Sequence, residues 1–251
     1  VWVGTKDGIS RYDKTLNDWA LKRETQGKNI LFNRVNTIAS DEELVWFGTE
    51  GGVWRYDKSK DTWNSYTKDE GLVDDNVSSI AITESSVWIG TFDFGISEYS
   101  KADRNFVRSY TRNDLLKTDL IEAITSDDSS VWIGTAEYGI QRYIRRVNSW
   151  MEYTRETGLA GNHITCIEVD GNNLWIATAE SGVSLFKKTS NVWITYTERD
   201  FLAGNDIKSM DARDGLIWVA TRDGINKYDL NTKNWNTYNK VDGLPTNYVT
   251  N

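Results

Sequence analysis

The amino-acid sequence predicts an all-β protein, a six-bladed β-propeller whose blades are four-stranded antiparallel sheets. The composition is rich in strand formers and turn glycines, with 12 Trp, 12 Tyr and 19 Gly against 1 Pro and 2 Met. An apolar-Trp-apolar-(Gly/Ala)-Thr motif recurs, and its Trp residues lie 42 to 44 positions apart. A period near forty residues with strand-like content is typical of propeller blades. The six copies are residues 1–5, 45–49, 87–91, 131–135, 174–178 and 217–221.

Each copy continues with the same order of elements. A glycine follows the motif, then an aromatic residue, and a second aromatic residue comes in the next segment, as at Gly182, Phe186 and Trp193. Two apolar residues spaced three apart complete the unit, as at Ile164 and Ile167. With strands labelled A to D outward from the channel, the motif predicts strand B and the glycine opens strand C. The second aromatic residue predicts strand D, and the apolar pair predicts strand A of the next blade.

The motif segments do not alternate apolar with polar residues. For a strand, this pattern indicates that both faces are buried, as blades stacked between neighbours require. Residues 170–172 and 213–215 combine Gly with Asp or Asn between two predicted strands. Because Gly and Asn accept a positive φ, these segments predict hairpin turns.

The two ends of the chain predict how the propeller closes. Residues 1–5 match strand B, and residues 247–251 match the beginning of strand A. We therefore expect the C-terminal strand A to pair with the N-terminal strand B, so that residues 1–251 form a single domain without exposed sheet edges. The last copy stops within a strand, so we expect the natural chain to continue.

Charge and cysteine content exclude two classes of protein. The net charge of −8 and the pI near 4.9 argue against a nucleic-acid partner, because phosphate binding needs clustered Lys and Arg. The lone Cys166 excludes an internal disulfide and is interpreted as a small apolar filler.

We expect no membrane span within this chain, since no apolar run approaches about 18 residues. Membrane anchoring of a longer parent protein and the oligomeric state stay open.

The pattern (Gly-Leu)-x-x-(Asn/Asp)-x-(Val/Ile)-x-x-Ile, followed by apolar-Trp-Ile-Gly-Thr-x-x-Gly-(Ile/Val), closely resembles the two-component regulator propeller repeat. Residues 158–167 followed by 174–183 form one instance, and the resemblance covers essentially the whole chain. It implies a sensor region in signal transduction, periplasmic or extracellular, often part of a hybrid histidine kinase. Related propellers occur in secretion-machinery components and in antibiotic-inactivating lyases. Many relatives have seven blades, and the repeat itself implies no catalytic residue.

Candidate binding residues are expected where the copies differ, on the face that carries the B–C and D–A connections. Every B–C loop carries a carboxylate, which is read mainly as a turn residue. Two of these loops also carry aromatic side chains that offer a platform for sugar rings or a peptide. The six carboxylates are Asp7, Glu50, Asp93, Glu137, Glu180 and Asp223, and the aromatic residues are Phe92, Phe94 and Tyr138.

The residue just before strand A differs in every copy, which favours a blade-specific pocket at the channel mouth. The residue that precedes it is always Asn or Asp and is interpreted as a turn residue that starts the strand. The six variable residues are Arg34, Asn76, Leu120, His163, Asp206 and Tyr248. The six Asn or Asp residues are Asn33, Asp75, Asp119, Asn162, Asn205 and Asn247.

The predicted function is therefore a ligand-binding or sensory propeller that recognises a glycan, peptide or protein through this loop face. The alternative is a protein-interaction scaffold of a secretion or cell-surface assembly. A metal-assisted lyase is a distant third, because His163 is the only histidine available as a general base. We expect no catalysis and no cofactor, although Ca²⁺ bound by the acidic loops stays open because hard cations take oxygen ligands.

Overall fold

The structure is a computed structural model that describes residues 1–21 and 34–250. These residues contain 23 β-strands in six antiparallel sheets, and no α-helix occurs among them. Each sheet is a meander in which strands consecutive in sequence are hydrogen-bonded neighbours. The predicted fold class is confirmed: the chain is an all-β protein of six blade sheets, a β-propeller. Its residues form two compact units, Val1–Ile121 and Glu122–Asn251, which are described in turn.

The first unit contains sheets 1 to 3. Sheet 1 consists of β1 (Trp2–Thr5), β2 (Gly8–Asp13) and β3 (Asp18–Leu21). Sheet 2 consists of β4 (Val35–Ser40), β5 (Leu44–Thr49), β6 (Gly52–Asp57) and β7 (Thr62–Tyr66). Sheet 3 consists of β8 (Val77–Ile82), β9 (Ser86–Thr91), β10 (Ile96–Ser100) and β11 (Asn105–Tyr110). In sheets 2 and 3 the four strands are A to D in chain order, and sheet 1 supplies B to D.

The second unit contains sheets 4 to 6, each with strands A to D. Sheet 4 consists of β12 (Ile121–Ser126, starting at the boundary), β13 (Ser130–Thr135), β14 (Ile140–Ile144) and β15 (Ser149–Tyr153). Sheet 5 consists of β16 (Ile164–Asp170), β17 (Asn173–Thr178), β18 (Val183–Lys187) and β19 (Val192–Tyr196). Sheet 6 consists of β20 (Ile207–Arg213), β21 (Leu216–Thr221), β22 (Gly224–Asp229) and β23 (Asn234–Tyr238).

Short 3₁₀ turns open four of the D–A connections. The one at Lys68–Glu70 is closed by a capping box, in which Thr67 accepts from a turn N–H and the Glu70 carboxylate accepts from the Thr67 nitrogen at 2.8 Å. The turns that follow strand D are Lys68–Glu70, Arg155–Thr157, Glu198–Asp200 and Lys240–Asp242. A further 3₁₀ turn, Arg145–Val147, joins β14 to β15. Capped turns give the D–A connections a defined backbone.

Burial on both faces of strand B is confirmed in sheets 2 to 5, whereas β1 of sheet 1 and β21 of sheet 6 are partly exposed. Every residue of β9 and of β13 is buried, as the absence of alternation predicts. The motif Trp is almost fully buried in sheets 2 to 5, at Trp46, Trp88, Trp132 and Trp175. In sheet 5, for example, Trp175 stacks on Tyr196 and meets Tyr228 of sheet 6 edge-on. The repeated Trp therefore fills the space between one sheet and the next.

The predicted closing pair of strands is not resolved by the described residues. Sheet 1 has three strands, residues 247–250 are in no strand, and residue 251 lies outside the described part. Pairing of residues 247–251 with residues 1–5 therefore stays a prediction, and so does the single domain over 1–251.

Candidate functional site

The B–C loops are held by the threonine that ends each motif. Its hydroxyl donates to the carbonyl oxygen of the repeat glycine and accepts from a backbone N–H inside the loop. In sheet 3, Thr91 Oγ1 lies 2.9 Å from the Gly95 carbonyl oxygen and 3.2 Å from the Phe94 nitrogen. This pair of bonds orients the loop side chains. The same bonds occur at Thr5, Thr49, Thr135, Thr178 and Thr221.

The D–A connections are tied to the B–C loops by the Asn or Asp that precedes strand A. The side-chain oxygen of Asn162 accepts from the Arg155 nitrogen at 2.7 Å, and its carbonyl oxygen accepts from the Gly139 nitrogen at 2.9 Å. Both interactions serve the scaffold, as the turn interpretation expects. Both also occur at Asp75, Asp119 and Asn205. Asn33, the first residue of the predicted set, lies outside the described residues.

The six predicted B–C loop carboxylates are all exposed. Over residues 1–21 and 34–250, no group of three or more His, Cys, Asp and Glu side chains could hold a metal ion. Binding of Ca²⁺ by this acidic set stays a prediction.

In the first unit, Phe94 lies at the tip of the B–C loop of sheet 3 with 51% of its surface exposed. The Lys68 ammonium lies 5.1 Å from the centroid of the Phe94 ring, within the range of a cation–π contact. Lys68 is also ion-paired with the buried carboxylate of Asp74, and this hydrogen bond raises the pKa of Lys68. We call Lys68, Asp74 and Phe94 the Phe94 cluster. It combines a cation, a carboxylate and an exposed aromatic ring.

Three other predicted residues of the first unit lie beside the Phe94 cluster. The half-buried Phe92 donates its N–H to the Asn76 carbonyl oxygen at 3.1 Å, which ties the B–C loop to the D–A connection. Asp93 is exposed between the two phenylalanines. Arg34 and Leu120 belong to other D–A connections, where Arg34 is exposed and Leu120 is half-buried. The prediction of one pocket that gathers all six variable residues stays untested.

In the second unit, the loop that carries Glu137 and Tyr138 adjoins the connection that carries His163. The Tyr138 nitrogen donates to Thr135 Oγ1 at 2.9 Å, and the next residue is bonded to the residue before His163. Glu137 and His163 are exposed, and Tyr138 is 47% exposed. The His163 carbonyl oxygen accepts from the Ala179 nitrogen at 3.1 Å, so the backbone of His163 is part of the scaffold. The side chain takes no part in this bond, so the residue type at this position can differ between copies.

Asp206 and Tyr248, the last two predicted residues, differ in whether their side chains are accessible to a ligand. The half-buried Asp206 carboxylate forms ion pairs with Lys208 at 2.7 Å and with Arg222 at 3.9 Å. Its charge is therefore balanced within the protein. Tyr248 is exposed, and its nitrogen donates to Thr246 Oγ1 at 3.2 Å.

Two carboxylates on the A strands of the second unit have displaced pKa values. Burial raises the pKa of Glu122, while the nearby His163 opposes that rise. Burial, and next the neighbouring Asp211 carboxylate, raise the pKa of Glu168 to about 7. Cys166 packs beside Glu168, with Sγ 3.9 Å from Oε1, and burial raises the pKa of its thiol to about 12. Cys166 also packs against the apolar core of sheets 5 and 6, as a small apolar filler does.

Glu168 should make stability depend on pH. A carboxyl whose pKa is raised on folding stabilises the fold below its ordinary pKa, and that contribution is lost as pH rises through about 7. We expect the free energy of unfolding to fall by on the order of 1 kcal/mol between about pH 5 and pH 8, and Glu168→Gln to remove this fall. Urea unfolding at both pH values measures it, with the exposed Glu180→Gln as control. An unchanged pH dependence in Glu168→Gln contradicts the assignment.

Three pockets lie at the opposite ends of the strands, where the A–B and C–D connections meet. Their volumes are about 720, 550 and 370 Å³. None of the eleven predicted ligand-binding residues lines them, so sequence reasoning missed this end. Each contains an arginine of strand C, namely Arg55, Arg142 and Arg11 in order of decreasing volume. The sequence does contain a signal for this end, because each of these arginines stands three residues after the repeat glycine.

Residues 158–180 match the family model of the two-component regulator propeller. The match spans the D–A connection, strand A and strand B of sheet 5, so these residues carry a two-component regulator propeller repeat. The resemblance seen in the sequence is confirmed there. The class that the fold defines is the β-propeller, and sheet 5 contains the segment that matches this family model. No curated protein matches the chain.

Solved structures with the same fold include two extracellular domains from B. thetaiotaomicron. The first belongs to a hybrid two-component system, with 21% identity and a TM-score of 0.76 over 100% of this chain and 35% of that one. The second belongs to a one-component system, with 21% identity and a TM-score of 0.77 over 95% of this chain and 35% of that one. The chain thus spans about a third of their length, and the likeness shows the fold.

A third similar structure is PorZ, a bacterial surface component of the type-IX secretion system of Porphyromonas gingivalis. It is 19% identical, with a TM-score of 0.69 over 89% of this chain and 36% of that one. Among the described residues, no helix has the length and apolar character needed to cross a bilayer.

Proposed function

We propose that this chain is the ligand-binding part of an extracytoplasmic sensor and that it contacts a glycan or peptide through its B–C and D–A loops. The observation that carries the proposal is the Phe94 cluster. The half-exposed Phe94 ring offers an apolar face to a ligand, and the partly exposed Lys68 ammonium and the exposed Asp93 carboxylate next to it offer hydrogen-bonding groups. Binding sites are commonly built on loops positioned by a rigid scaffold, and these loops are hydrogen-bonded at both ends.

The similar structures support the sensory part of the proposal. Two of them are extracellular domains of regulatory systems, and residues 158–180 match a family named for two-component regulation. Sensing also agrees with a repeated scaffold whose differences are concentrated in its loops. The proposal includes a location in the periplasm or outside the cell, which the likeness to these extracellular domains supports.

A protein-interaction scaffold is the second candidate. The likeness to PorZ, a surface component of a secretion system, favours it. A scaffold would use the same loops on a protein partner and would not be stabilised by small glycans or peptides. The two functions therefore differ in a thermal-shift screen, because a ligand that binds only the folded state raises the melting temperature.

Phe94→Ala should weaken binding of any glycan or peptide that stabilises the chain by about tenfold, because the ring supplies the apolar face of the site. The experiment screens glycans and peptides by thermal shift and then measures affinity by calorimetry. Trp19→Ala is the matched control, since Trp19 is 54% exposed but lies on the outer strand β3. Equal affinities for wild type and Phe94→Ala contradict the site. A screen without any stabilising glycan or peptide favours the scaffold.

A further inference from the structure

Arginines of strand C stack on the motif Trp of strand B. In sheet 4, Arg142 and Trp132 are opposite one another in the antiparallel register. The guanidinium carbon of Arg142 lies 4.5 Å from the Trp132 ring centroid, which is a close cation–π contact. The same register and stacking pair Arg11 with Trp2 in sheet 1 and Arg55 with Trp46 in sheet 2.

In the first unit a terminal nitrogen of the arginine donates to a hydroxyl of the next sheet. Arg55 Nη1 donates to the Tyr99 hydroxyl at 2.8 Å, and its Nη2 donates to Asn64 Oδ1 at 2.8 Å. Arg11 Nη1 donates in the same way to the Tyr56 hydroxyl at 3.3 Å. In both cases the hydroxyl belongs to the repeat aromatic residue of strand C in the following sheet.

Arg142 of sheet 4 lacks this partner. The repeat aromatic residue of the following sheet is Phe186, which has no hydroxyl. Arg142 Nε donates to Ser130 Oγ at 2.9 Å. Within residues 1–21 and 34–250, neither terminal nitrogen of Arg142 has a hydrogen-bond or ion-pair partner. Its guanidinium is therefore held by a ring and one hydroxyl, with both terminal amino groups unused.

The unused nitrogens belong to a side chain that lines the pocket of about 550 Å³ between sheets 4 and 5. Lys188 also lines it, but its ammonium is neutralised by Asp127 at 2.8 Å. That carboxylate accepts from Trp132 Nε1 as well, and these partners hold the pKa of Asp127 well below its usual range. Asp127 is thus fully engaged and is not a counter-ion for Arg142.

Among the described residues, the remaining charges at this pocket do not pair with the terminal nitrogens of Arg142. The one further carboxylate that lines it is that of Asp128, whose side chain is exposed at the rim. Arg145 donates to the backbone carbonyl oxygens of Asp127 and Asp128 and so adds a positive charge beside them. The lining that the structure describes therefore holds two cations, Arg142 and Lys188, and two carboxylates, and the carboxylate of Asp127 is taken by Lys188.

We propose that this pocket, the Arg142 pocket, binds an oxyanion group: a carboxylate, a sulfate or a phosphate. The two terminal nitrogens of Arg142 match the two oxygens of such a group, and bidentate pairing with a guanidinium is the strong form of this contact. Asn172 and Thr189 line the pocket and supply polar groups to the rest of the ligand. Its volume lies within the range of small-molecule sites. This site is independent of the loop-end function proposed above, because it lies at the other ends of the strands.

Calorimetric titration with sodium sulfate, sodium phosphate and sodium gluconate tests the Arg142 pocket, with sodium chloride at equal ionic strength as the reference. We expect at least one oxyanion to bind, and its identity separates sulfate, phosphate and carboxylate as the source. Arg142→Gln should weaken that binding by about tenfold or more, since a hydrogen bond to a charged group is lost. Phe186→Tyr should weaken oxyanion binding to a similar extent. The new hydroxyl would accept from Arg142 as the Tyr99 hydroxyl accepts from Arg55, and would thus compete with the oxyanion.

Phe186→Tyr keeps the proposal testable if Arg142→Gln does not fold, since tyrosine is the residue that other copies carry at this position. Arg55→Gln is the matched control: it changes the arginine at the same repeat position in sheet 2, where both terminal nitrogens already have partners, and binding should be unchanged. The proposal is overturned if none of the three oxyanions binds more tightly than chloride. It is also overturned if a folded Phe186→Tyr or Arg142→Gln protein binds as wild type does.

Discussion

Gly182→Ala should lower the free energy of unfolding by about 3 kcal/mol or more, because two unfavourable effects add at this position. Gly182 has φ +85°, in the region where a Cβ is disfavoured, and a Cβ there would overlap the backbone carbonyl oxygen of Tyr196. The residue is also hydrogen-bonded on both sides, to Thr178 and to Asn205. A backbone oxygen at the end of β19 cannot move aside without breaking the sheet.

Gly171→Ala is the matched control for this prediction. Gly171 also has a positive φ, +56°, but nothing lies within 4 Å of the position that its Cβ would take. Only the conformational penalty applies, so we expect a loss of about 1 kcal/mol. Urea unfolding of the three proteins measures both values. Equal losses in Gly182→Ala and Gly171→Ala would show that crowding at the repeat glycine is unimportant.

Trp132→Ala should destabilise the chain by about 3 to 5 kcal/mol, the usual cost of truncating a large buried aromatic side chain. The side chain is fully buried and packs in a core cluster with Tyr153 and Ile164. Its ring meets Phe186 of the next sheet edge-on at 6.0 Å between centroids. Truncation therefore opens a cavity between two sheets that have little room to collapse.

Trp218→Ala provides the control, because it changes the same residue at the same repeat position in sheet 6. Trp218 is 39% exposed and stacks on Tyr238. Since less apolar surface leaves the core, we expect a loss of about 1 kcal/mol. Urea unfolding compares the two variants with wild type. A loss in Trp218→Ala as large as that in Trp132→Ala would mean that burial between sheets does not explain the repeated Trp.

The fold was predictable because each residue of the repeat has a structural role that is the same in every sheet. The motif Trp fills the gap between sheets, and the motif Thr closes the B–C loop, as Thr91 does through Gly95 and Phe94. The repeat glycine meets the positive φ at the start of strand C. Because these roles depend on nearby residues, the residues recur at a fixed spacing, and this pattern is visible in the sequence alone.

The candidate sites were predictable only in part. Exposure of Phe94 and Tyr138 followed from their loop positions, but the cation beside Phe94 comes from a connection 26 residues earlier, at Lys68. The Arg142 pocket depends on a contact between sheets. In the described part of the chain, the terminal nitrogens of Arg142 lack a hydroxyl partner because residue 186 is Phe. Phe186 lies 44 residues from Arg142, and the sequence alone does not show that the two side chains are neighbours. Such pairs become visible only when the register of neighbouring sheets is known.

The most direct test of the central proposal is hydrogen exchange, measured by mass spectrometry, on the complex with the best ligand from the thermal-shift screen. If the B–C and D–A loops bind that ligand, exchange should slow in residues 67–76 and 91–95, the segments that carry the Phe94 cluster. Exchange near the A–B and C–D connections should stay as in the free protein. Protection confined to those connections, with residues 67–76 and 91–95 unchanged, would contradict the account.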